Sequence, residues 1–166
     1  MALAEARSAA ERLERLWGRV ASDADGYAGD LRLVRGGLPW PVQGSRLVRR
    51  FGPQRDPSYG TVTVSHGLVL EVAVTTPVRA VAPGRVVYAQ FFRGHGNLVI
   101  VHHGQQIYSL YSRLGTMLVD AGGRVGTGDP VGLAGRSEED GGNVYLEIRV
   151  GQSPEDPLVW LNPAGM

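Results

Sequence analysis

The apolar positions of this chain follow two different periods. Over residues 2–20 they recur at steps of three and four, the spacing of one helix face, and the charged residues, Glu14 among them, lie mostly elsewhere. From about residue 46 onward, short apolar or alternating runs are separated by turns rich in glycine. The pattern therefore predicts an amphipathic N-terminal helix followed by a mostly β domain. The apolar stripe of the helix consists of Leu3, Ala6, Ala10, Leu13, Trp17 and Val20.

The clearest single strand covers residues 142–149, where apolar residues alternate strictly with polar and aromatic ones. In a half-buried strand, the apolar set faces the core and the other set lines a surface or cleft. We therefore expect the second set to form a face outside the core. The core set is Val144, Leu146 and Ile148, and the outward set is Asn143, Tyr145, Glu147 and Arg149.

The domain boundary is predicted near Gly36. Capping and turn residues end the helix at residues 22–26, and a short apolar segment at 31–34 is interpreted as a further helical turn. This divides the chain into an N-terminal helical segment, residues 1–36, and a β domain, residues 37–166. Short strands separated by glycine turns predict a sandwich or barrel built from two sheets.

The composition narrows the possible functions. The net charge of +1 gives the protein no overall field that would draw it to nucleic acid. All 17 basic residues are arginines, which excludes a carrier domain that holds biotin or lipoate on a lysine. The absence of cysteine excludes thiolate zinc sites. The chain shows neither a membrane-length apolar run nor a signal-peptide pattern, so we expect it to be a piece of a longer protein.

A series of short motifs resembles the LytM/lysostaphin-type zinc endopeptidases. Residues 146–149 (LEIR) keep the frame of that family's last strand, which usually reads His-x-His-Phe-Glu-Ile-Arg. Each other motif is weak alone, but their common order makes the likeness specific and implies a LytM-type two-sheet domain. These motifs are residues 38–42 (LPWPV), 48–52 (VRRFG), 76–89 (TPVRAVAPGRVVYA), 94–101 (GHGNLVIV), 110–114 (LYSRL) and 125–132 (VGTGDPVG).

The resemblance also implies where the catalytic residues of such an enzyme would be. The family's His-x-Gly-x-Asp motif falls on residues 65–69, so that Ser65 replaces the histidine and Val69 the aspartate. Arg113 stands at the general acid/base histidine, and Asn143 and Tyr145 stand at the closing pair of histidines. Zinc needs about three imidazole, carboxylate or thiolate ligands, which these side chains do not supply. We therefore expect a degenerate domain that has no metal or cofactor and is not an enzyme.

The four histidines of the chain do not suggest a metal site elsewhere. His66 is displaced by one position from the expected ligand, and a shift of one residue on a strand points the side chain to the other face. His102 and His103 are adjacent on a predicted strand and therefore face opposite ways. His95 lies between glycines and is expected in an exposed loop.

The resemblance is closest to the degenerate LytM factors of the EnvC type. It implies a non-catalytic activator of a periplasmic peptidoglycan (N-acetylmuramoyl-L-alanine) amidase, acting by protein contact during cell separation. The groove left without catalytic groups would take up an inhibitory helix of this zinc amidase. The matched positions of the partner-binding groove are His66, Val69, Phe92, His95, Tyr111, Tyr145 and Arg149.

The N-terminal helix and the groove each have a second interpretation. We favour a helix packed on its own domain or ending a coiled coil, and the alternative is an arm that covers the groove. In full-length proteins of this type, the resemblance implies an upstream coiled coil that couples to a division-site membrane complex, of which residues 2–20 would be the tail. The groove could instead bind peptidoglycan directly, which would make the chain a peptidoglycan-binding module.

Overall fold

The computed structural model describes residues 2–22, 35–136 and 142–165. No helix within these ranges is both long and apolar enough to cross a membrane. The mostly β prediction and the N-terminal helix are confirmed, whereas the helical turn predicted at 31–34 lies outside the described residues. The elements are α1 (Ala2–Ser22), β1 (Arg46–Arg49), β2 (Gly52–Arg55), β3 (Val62–Ser65), β4 (Leu68–Val72), β5 (Pro77–Arg79), β6 (Gly84–Phe92), β7 (Gly96–Gly104), β8 (Ile107–Met117), β9 (Arg124–Val125), β10 (Pro130–Arg136), β11 (Gly142–Val150), β12 (Ser153–Glu155), α2 (Pro157–Trp160) and a 3-10 turn (Pro163–Gly165).

Ten strands form one hydrogen-bonded sheet, and β2 and β3 form a separate two-stranded ribbon. The long strand β8 joins the two parts of the large sheet. Its residues 107–112 pair with β11, and its residues 114–117 pair with β10. The two sheets expected of a sandwich are therefore linked through β8 into a single sheet.

Strand β11 lies between β4 and β8 and is buried on both of its faces. Its apolar residues Val144, Leu146 and Ile148 belong to the larger of two core clusters, as predicted. The expectation that the opposite face lies outside the core is wrong, because Glu147 and Arg149 are 0% exposed. Helix α1 packs on this opposite face of the sheet.

Helix α1 forms a second, smaller core cluster with the sheet. Near its start, Ala9 is the buried residue, whereas Ala10, which the predicted stripe included, is exposed. Burying a large apolar side chain contributes about 1.5–3 kcal/mol, so this cluster stabilises the docking of α1 on the sheet. The cluster consists of Leu13, Leu16, Trp17 and Val20 of α1 with Leu98, Ile100, Tyr108 and Leu110 of the sheet.

The strap that precedes β1 is fixed to the end of the chain. Trp40 is buried, and its indole nitrogen donates a 2.8 Å hydrogen bond to the carbonyl of Asn162. Leu38 pairs with Leu161 in a parallel bridge just after α2. These contacts close the larger core on the side away from α1 and leave the face under α1 as the candidate site.

Candidate functional site: a groove covered by the first helix

A buried arginine forms the centre of the candidate site. The Nε atom of Arg149, near the end of β11, donates a 2.8 Å hydrogen bond to Glu147 on the same strand. Its terminal nitrogens donate to both carboxylate oxygens of Glu14 on α1, at 2.7 and 3.1 Å, and one also donates to the carbonyl of Gln152 at 3.0 Å. Paired arginine–carboxylate hydrogen bonds of this kind are the strong ones in proteins. Arg149 therefore ties the helix to the strand.

The charged groups in this cluster, together with their burial, shift one another's pKa values. Hydrogen bonds from Arg149 hold the pKa of Glu14 below its ordinary value, although partial burial opposes this shift. Burial raises the pKa of Glu147, and the nearby Arg149 offsets part of that effect. Burial also opposes the charge on Arg149, but its hydrogen bonds to both carboxylates raise its pKa overall. Arg149 thus stays charged and requires anionic neighbours for as long as it is buried.

His66 and Tyr145 extend the polar wall around this cluster. The Nδ1 atom of His66 lies 3.3 Å from the carboxylate of Glu14. The hydroxyl of Tyr145 donates a 2.8 Å hydrogen bond to Glu147. Burial, together with the charge of Glu147, raises the pKa of Tyr145, so this hydroxyl acts as a donor and not as an acid.

Trp17 fills the apolar part of the groove. It is 0% exposed, and the guanidinium of Arg149 lies 4.8 Å from its ring centre in a cation–π contact, while Tyr108 meets it edge-on at 5.8 Å. The indole nitrogen of Trp17 is buried without a hydrogen-bond partner among the described residues. The hydroxyl of Ser112, which stands opposite Tyr145 in the sheet, is also buried and unpaired there. A buried polar atom without a hydrogen-bond partner costs about 1–3 kcal/mol. The hydrogen bonding between α1 and this face is therefore incomplete.

The first half of α1 rests on the turn between β6 and β7. The Nε2 atom of His95 lies 3.0 Å from the carbonyl of Ala9, and burial lowers the pKa of His95. The ring of Phe92 lies 5.7 Å from that of His95. Gly94 has φ +90°, and a Cβ added there would lie 2.6 Å from the Cβ of Ala9. This approach requires glycine on the turn and a small residue on the helix.

Most of the predicted groove positions lie on the face that α1 covers. Some pair with atoms of the helix, and others pack against the apolar cluster beneath it. Val69 is buried beside Tyr145, since β4 and β11 pair these two residues in register. The predicted positions found on this face are His66, Val69, Phe92, His95, Tyr145 and Arg149.

The structure contradicts the assignment of Tyr111 to the groove wall. Successive residues of β8 face opposite sides of the sheet, so Tyr111 points away from Ser112 and into the larger core. Its hydroxyl accepts a 3.0 Å hydrogen bond from the backbone nitrogen of Val81 and lies 2.7 Å from the Oγ atom of Ser109. Burial raises the pKa of Tyr111 to about 12. Tyr111 is a core residue with a satisfied hydroxyl.

Sequence reasoning did not identify Glu14 as a residue of the site. It was placed off the apolar stripe, and it is indeed about half exposed, but its carboxylate binds Arg149, far away in the sequence. One signal was available, because Glu14 directly follows Leu13 and precedes Trp17 by one helical step, which places it at the edge of the buried stripe. Its partner could not be read from the stripe.

The positions of the lost catalytic residues do not form a metal-binding set. Ser65 uses its hydroxyl for a 3.0 Å hydrogen bond to a local backbone carbonyl. Asn143 and Tyr145 share one face of β11, and the guanidinium of Arg113 lies 5.8 Å from the ring centre of Tyr145. Within the described ranges, no three His, Cys, Asp or Glu side chains gather as a metal site. The residues at these positions do not fit a zinc ion.

The sheet and the groove define a peptidase-like LytM fold whose groove is covered by a helix. The chain belongs to peptidase family M23, which matches residues 63–157. The matched range contains every sheet residue of the candidate site, from His66 to Arg149, and leaves α1 outside it. The resemblance drawn from the motifs is thereby confirmed.

The relatives of the chain include proteins named as activators. The murein hydrolase activator EnvC of Escherichia coli is 37% identical over 134 residues, which cover 80% of this chain and 31% of EnvC. The murein hydrolase activator NlpD of Escherichia coli is 31% identical over 124 residues, which cover 74% of this chain and 30% of NlpD. The chain therefore spans about a third of the length of these curated relatives.

A solved structure supports the fold. A zinc-containing peptidase from Vibrio cholerae superimposes with a TM-score of 0.66 at 23% identity, covering 75% of this chain and 40% of the peptidase. At this identity the likeness establishes the arrangement of the strands. The chemistry of this chain has to be argued from its own residues.

Proposed function

We propose that the chain is a non-catalytic activator of peptidoglycan hydrolysis. Two relatives that match most of its length are named murein hydrolase activators, which supports this role. The finer proposal is that its partner is a periplasmic zinc amidase of the N-acetylmuramoyl-L-alanine type, engaged during cell separation. The chain acts by protein contact and contributes no metal or cofactor.

The observation that carries the proposal is the helix in the groove. The face of β11 and its neighbouring strands accepts an amphipathic helix, with an apolar floor and a charged clamp at Arg149. A groove of this shape can bind a helix of another protein through the same kind of anchors. We propose that the inhibitory helix of the amidase takes this place, which would free the amidase's own zinc site.

In this proposal, α1 is an arm that covers the groove until it is displaced. The partner needs the same residues that α1 contacts, so the two helices compete for one site. A tethered helix has an effective concentration on the order of millimolar, so the partner must bind much more tightly than a free copy of α1. A coiled coil upstream, coupled to a division-site membrane complex, would favour activation by drawing α1 off the groove.

The residues at the family's catalytic positions argue against peptidase activity. Val69 cannot bind a metal, and Arg113 places a positive charge beside Tyr145. We predict that the purified chain carries no stoichiometric zinc by elemental analysis and releases no fragments from purified peptidoglycan. One chelator-sensitive zinc ion per chain would contradict this part of the proposal.

The proposed function is tested by amidase activation on dye-labelled sacculi. Purified periplasmic amidases are assayed with the parent chain and with Glu14→Arg, which sets a cation against Arg149 and should loosen α1. We expect Glu14→Arg to activate more strongly than the parent, and Glu11→Arg on the exposed face of α1 to match the parent. If neither chain activates any amidase but both sediment with sacculi, the function is that of a peptidoglycan-binding module.

A further inference from the structure

We propose that the groove selects its partner by a three-part signature on one helix. The signature is a small residue, an acidic residue at the fifth position after it, and a large aromatic or apolar residue three positions further on. α1 carries this signature as Ala9, Glu14 and Trp17. The inference rests on the proposed function, because the partner's helix is taken to bind where α1 lies. It specifies the chemistry of that helix, which no relative's name describes.

The acidic position follows from the geometry of Arg149. Of the Arg149 nitrogens, only Nε donates to Glu147. The terminal nitrogens donate to Glu14 and to the carbonyl of Gln152, and one of them also lies 3.5 Å from Nδ1 of His66. A helix that covered Arg149 without a carboxylate would desolvate these nitrogens and leave them short of acceptors. The Nδ1 atom of His66 lies 3.3 Å from Glu14 and 3.5 Å from Arg149, so the imidazole borders the same point. The groove therefore needs an acidic side chain on any helix that fills it.

The small position follows from the turn between β6 and β7. The backbone of α1 comes so near to Gly94 that even a Cβ on that glycine would lie 2.6 Å from Ala9. A side chain larger than alanine at this place on a helix would meet the turn. The carbonyl of Ala9 also lies within hydrogen-bond distance of His95, which fixes the position of the helix along the groove. The distance between Gly94 and Arg149 thus sets the spacing between the small and the acidic residues.

The third position follows from the space that Trp17 fills between Arg149 and Tyr108. This space takes a large ring, but the indole nitrogen finds no acceptor among the described residues. Further along the same face, opposite Tyr145, the hydroxyl of Ser112 is also buried without a partner among those residues. A partner residue that fills the space without a buried N–H group would bind better than Trp17, and a partner helix that elsewhere offers a hydrogen bond to Ser112 would gain further. This difference gives the partner a means of displacing a tethered α1.

The signature is tested with peptides on a cut chain. A protease site is inserted between residues 22 and 35 and cleaved, so that α1 is held only by its contacts and the whole chain is still present. A fluorescent peptide with the sequence of residues 2–22 is then exchanged into the groove, and its affinity is measured. Glu14→Gln is compared with Glu11→Gln, and Ala9→Leu with Ala10→Leu, because Glu11 and Ala10 are exposed on the same helix.

We expect the Glu14→Gln and Ala9→Leu peptides to bind at least about tenfold more weakly than the parent peptide, and the two controls to stay within about twofold. The same substitutions are also made in the uncut chain, where Glu14→Gln and Ala9→Leu should speed hydrogen exchange of the α1 amides more than the two controls do. This second assay still tests the signature if no labelled peptide enters the groove of the cut chain. If Glu14→Gln behaves like Glu11→Gln in both assays, the signature is refuted, even if amidase activation is observed. If the signature holds but no amidase is activated, the proposed function fails and the chemistry of the groove stands.

Discussion

At the scale of single residues, Arg149 explains why helix and sheet fit together. It is fully buried, and its guanidinium bonds to β11, to α1 and to the turn after β11 through Glu147, Glu14 and Gln152. Lysine could not replace it, because an ammonium group cannot reach such separated acceptors in a planar fork. The hydrogen bonds of Arg149 are therefore complete when a helix that carries a carboxylate lies on this face.

Ser112 provides a test of the description of the groove floor. Its hydroxyl is buried and finds no partner among the described residues, so Ser112→Ala should stabilise the protein by about 1 kcal/mol in urea unfolding. Ser109 is the matched control on the same strand, since its hydroxyl lies 2.8 Å from His103 and 2.7 Å from Tyr111. Ser109→Ala should destabilise by about 1–3 kcal/mol. Equal destabilisation by both changes would show that the Ser112 hydroxyl is paired.

The sequence identified most residues of the face under α1, but it did not predict their burial or their hydrogen-bond partners. His66 and Arg149 were found because they stand in motifs of the family. The burial of Arg149 and its pairing with Glu14 could not be found, because they depend on where α1 docks. Tyr111 was misassigned because apolar residues occupy both faces of β8, so the alternation of the strand does not show which face meets the groove.

At the scale of elements, α1 was predicted as a helix, and a role as the cover of the groove was given only as the alternative interpretation. An apolar stripe shows that one face of a helix is buried, and it does not identify the surface that buries it. We favoured packing on its own domain, and the structure shows this packing at the very face that was predicted to bind a partner. Strand β2 does not follow from the apolar pattern, since it contains Pro53 and is largely exposed, and it pairs with β3 apart from the large sheet.

Trp17→Ala tests whether α1 depends on its anchor in the groove. Removing a fully buried tryptophan costs about 3–5 kcal/mol, and here the loss should fall mainly on the docking of α1. We therefore expect the amides of α1 to exchange at least about a hundredfold faster and amidase activation to rise. Arg15→Ala, on the exposed face of α1, is the control and should change neither. Unchanged protection of α1 in Trp17→Ala would mean that the anchor lies elsewhere.

At the scale of the whole molecule, the sheet has a core on each face. The larger core is closed by the strands and the strap at Trp40, and the smaller one, within the part of the chain that the structure describes, by α1. Release of α1 would expose Leu98, Ile100 and Leu110 to water, which is unfavourable unless another apolar face replaces it. In the proposed function, the two states of the protein are therefore a groove filled by α1 and a groove filled by a partner.

The stability of the whole fold should fall in mild acid because of His103. Its Nδ1 atom donates to the carbonyl of Pro83 at 2.8 Å, and burial lowers its pKa from 6.5 to about 4. Below pH 6.5 the unfolded chain takes up a proton that the folded chain refuses, so stability decreases as the pH falls toward 4. The expected loss is on the order of 3 kcal/mol. In His103→Gln, the free energy of unfolding from denaturant melts should depend less on pH than in the parent, whether or not the variant is less stable at neutral pH. An unchanged dependence on pH would contradict the assignment to His103.

The competition between α1 and a partner for one groove is tested most directly by locking α1 in place. The chain has no cysteine, and a Cβ on Gly18 of α1 would lie 3.9 Å from the side chain of Gln152 after β11. In Gly18→Cys/Gln152→Cys, a short bifunctional thiol reagent can bridge helix and sheet at the rim of the groove. The same variant treated with a monofunctional reagent, and each single cysteine variant treated with the bifunctional one, serve as controls.

The measurement is amidase activation by the bridged and the unbridged protein at equal concentration. We predict that the bridged protein no longer activates the amidase, while the control proteins still do. Bridged protein that activates as strongly as its unbridged form would contradict the account, because the partner would then act on a surface that α1 does not cover.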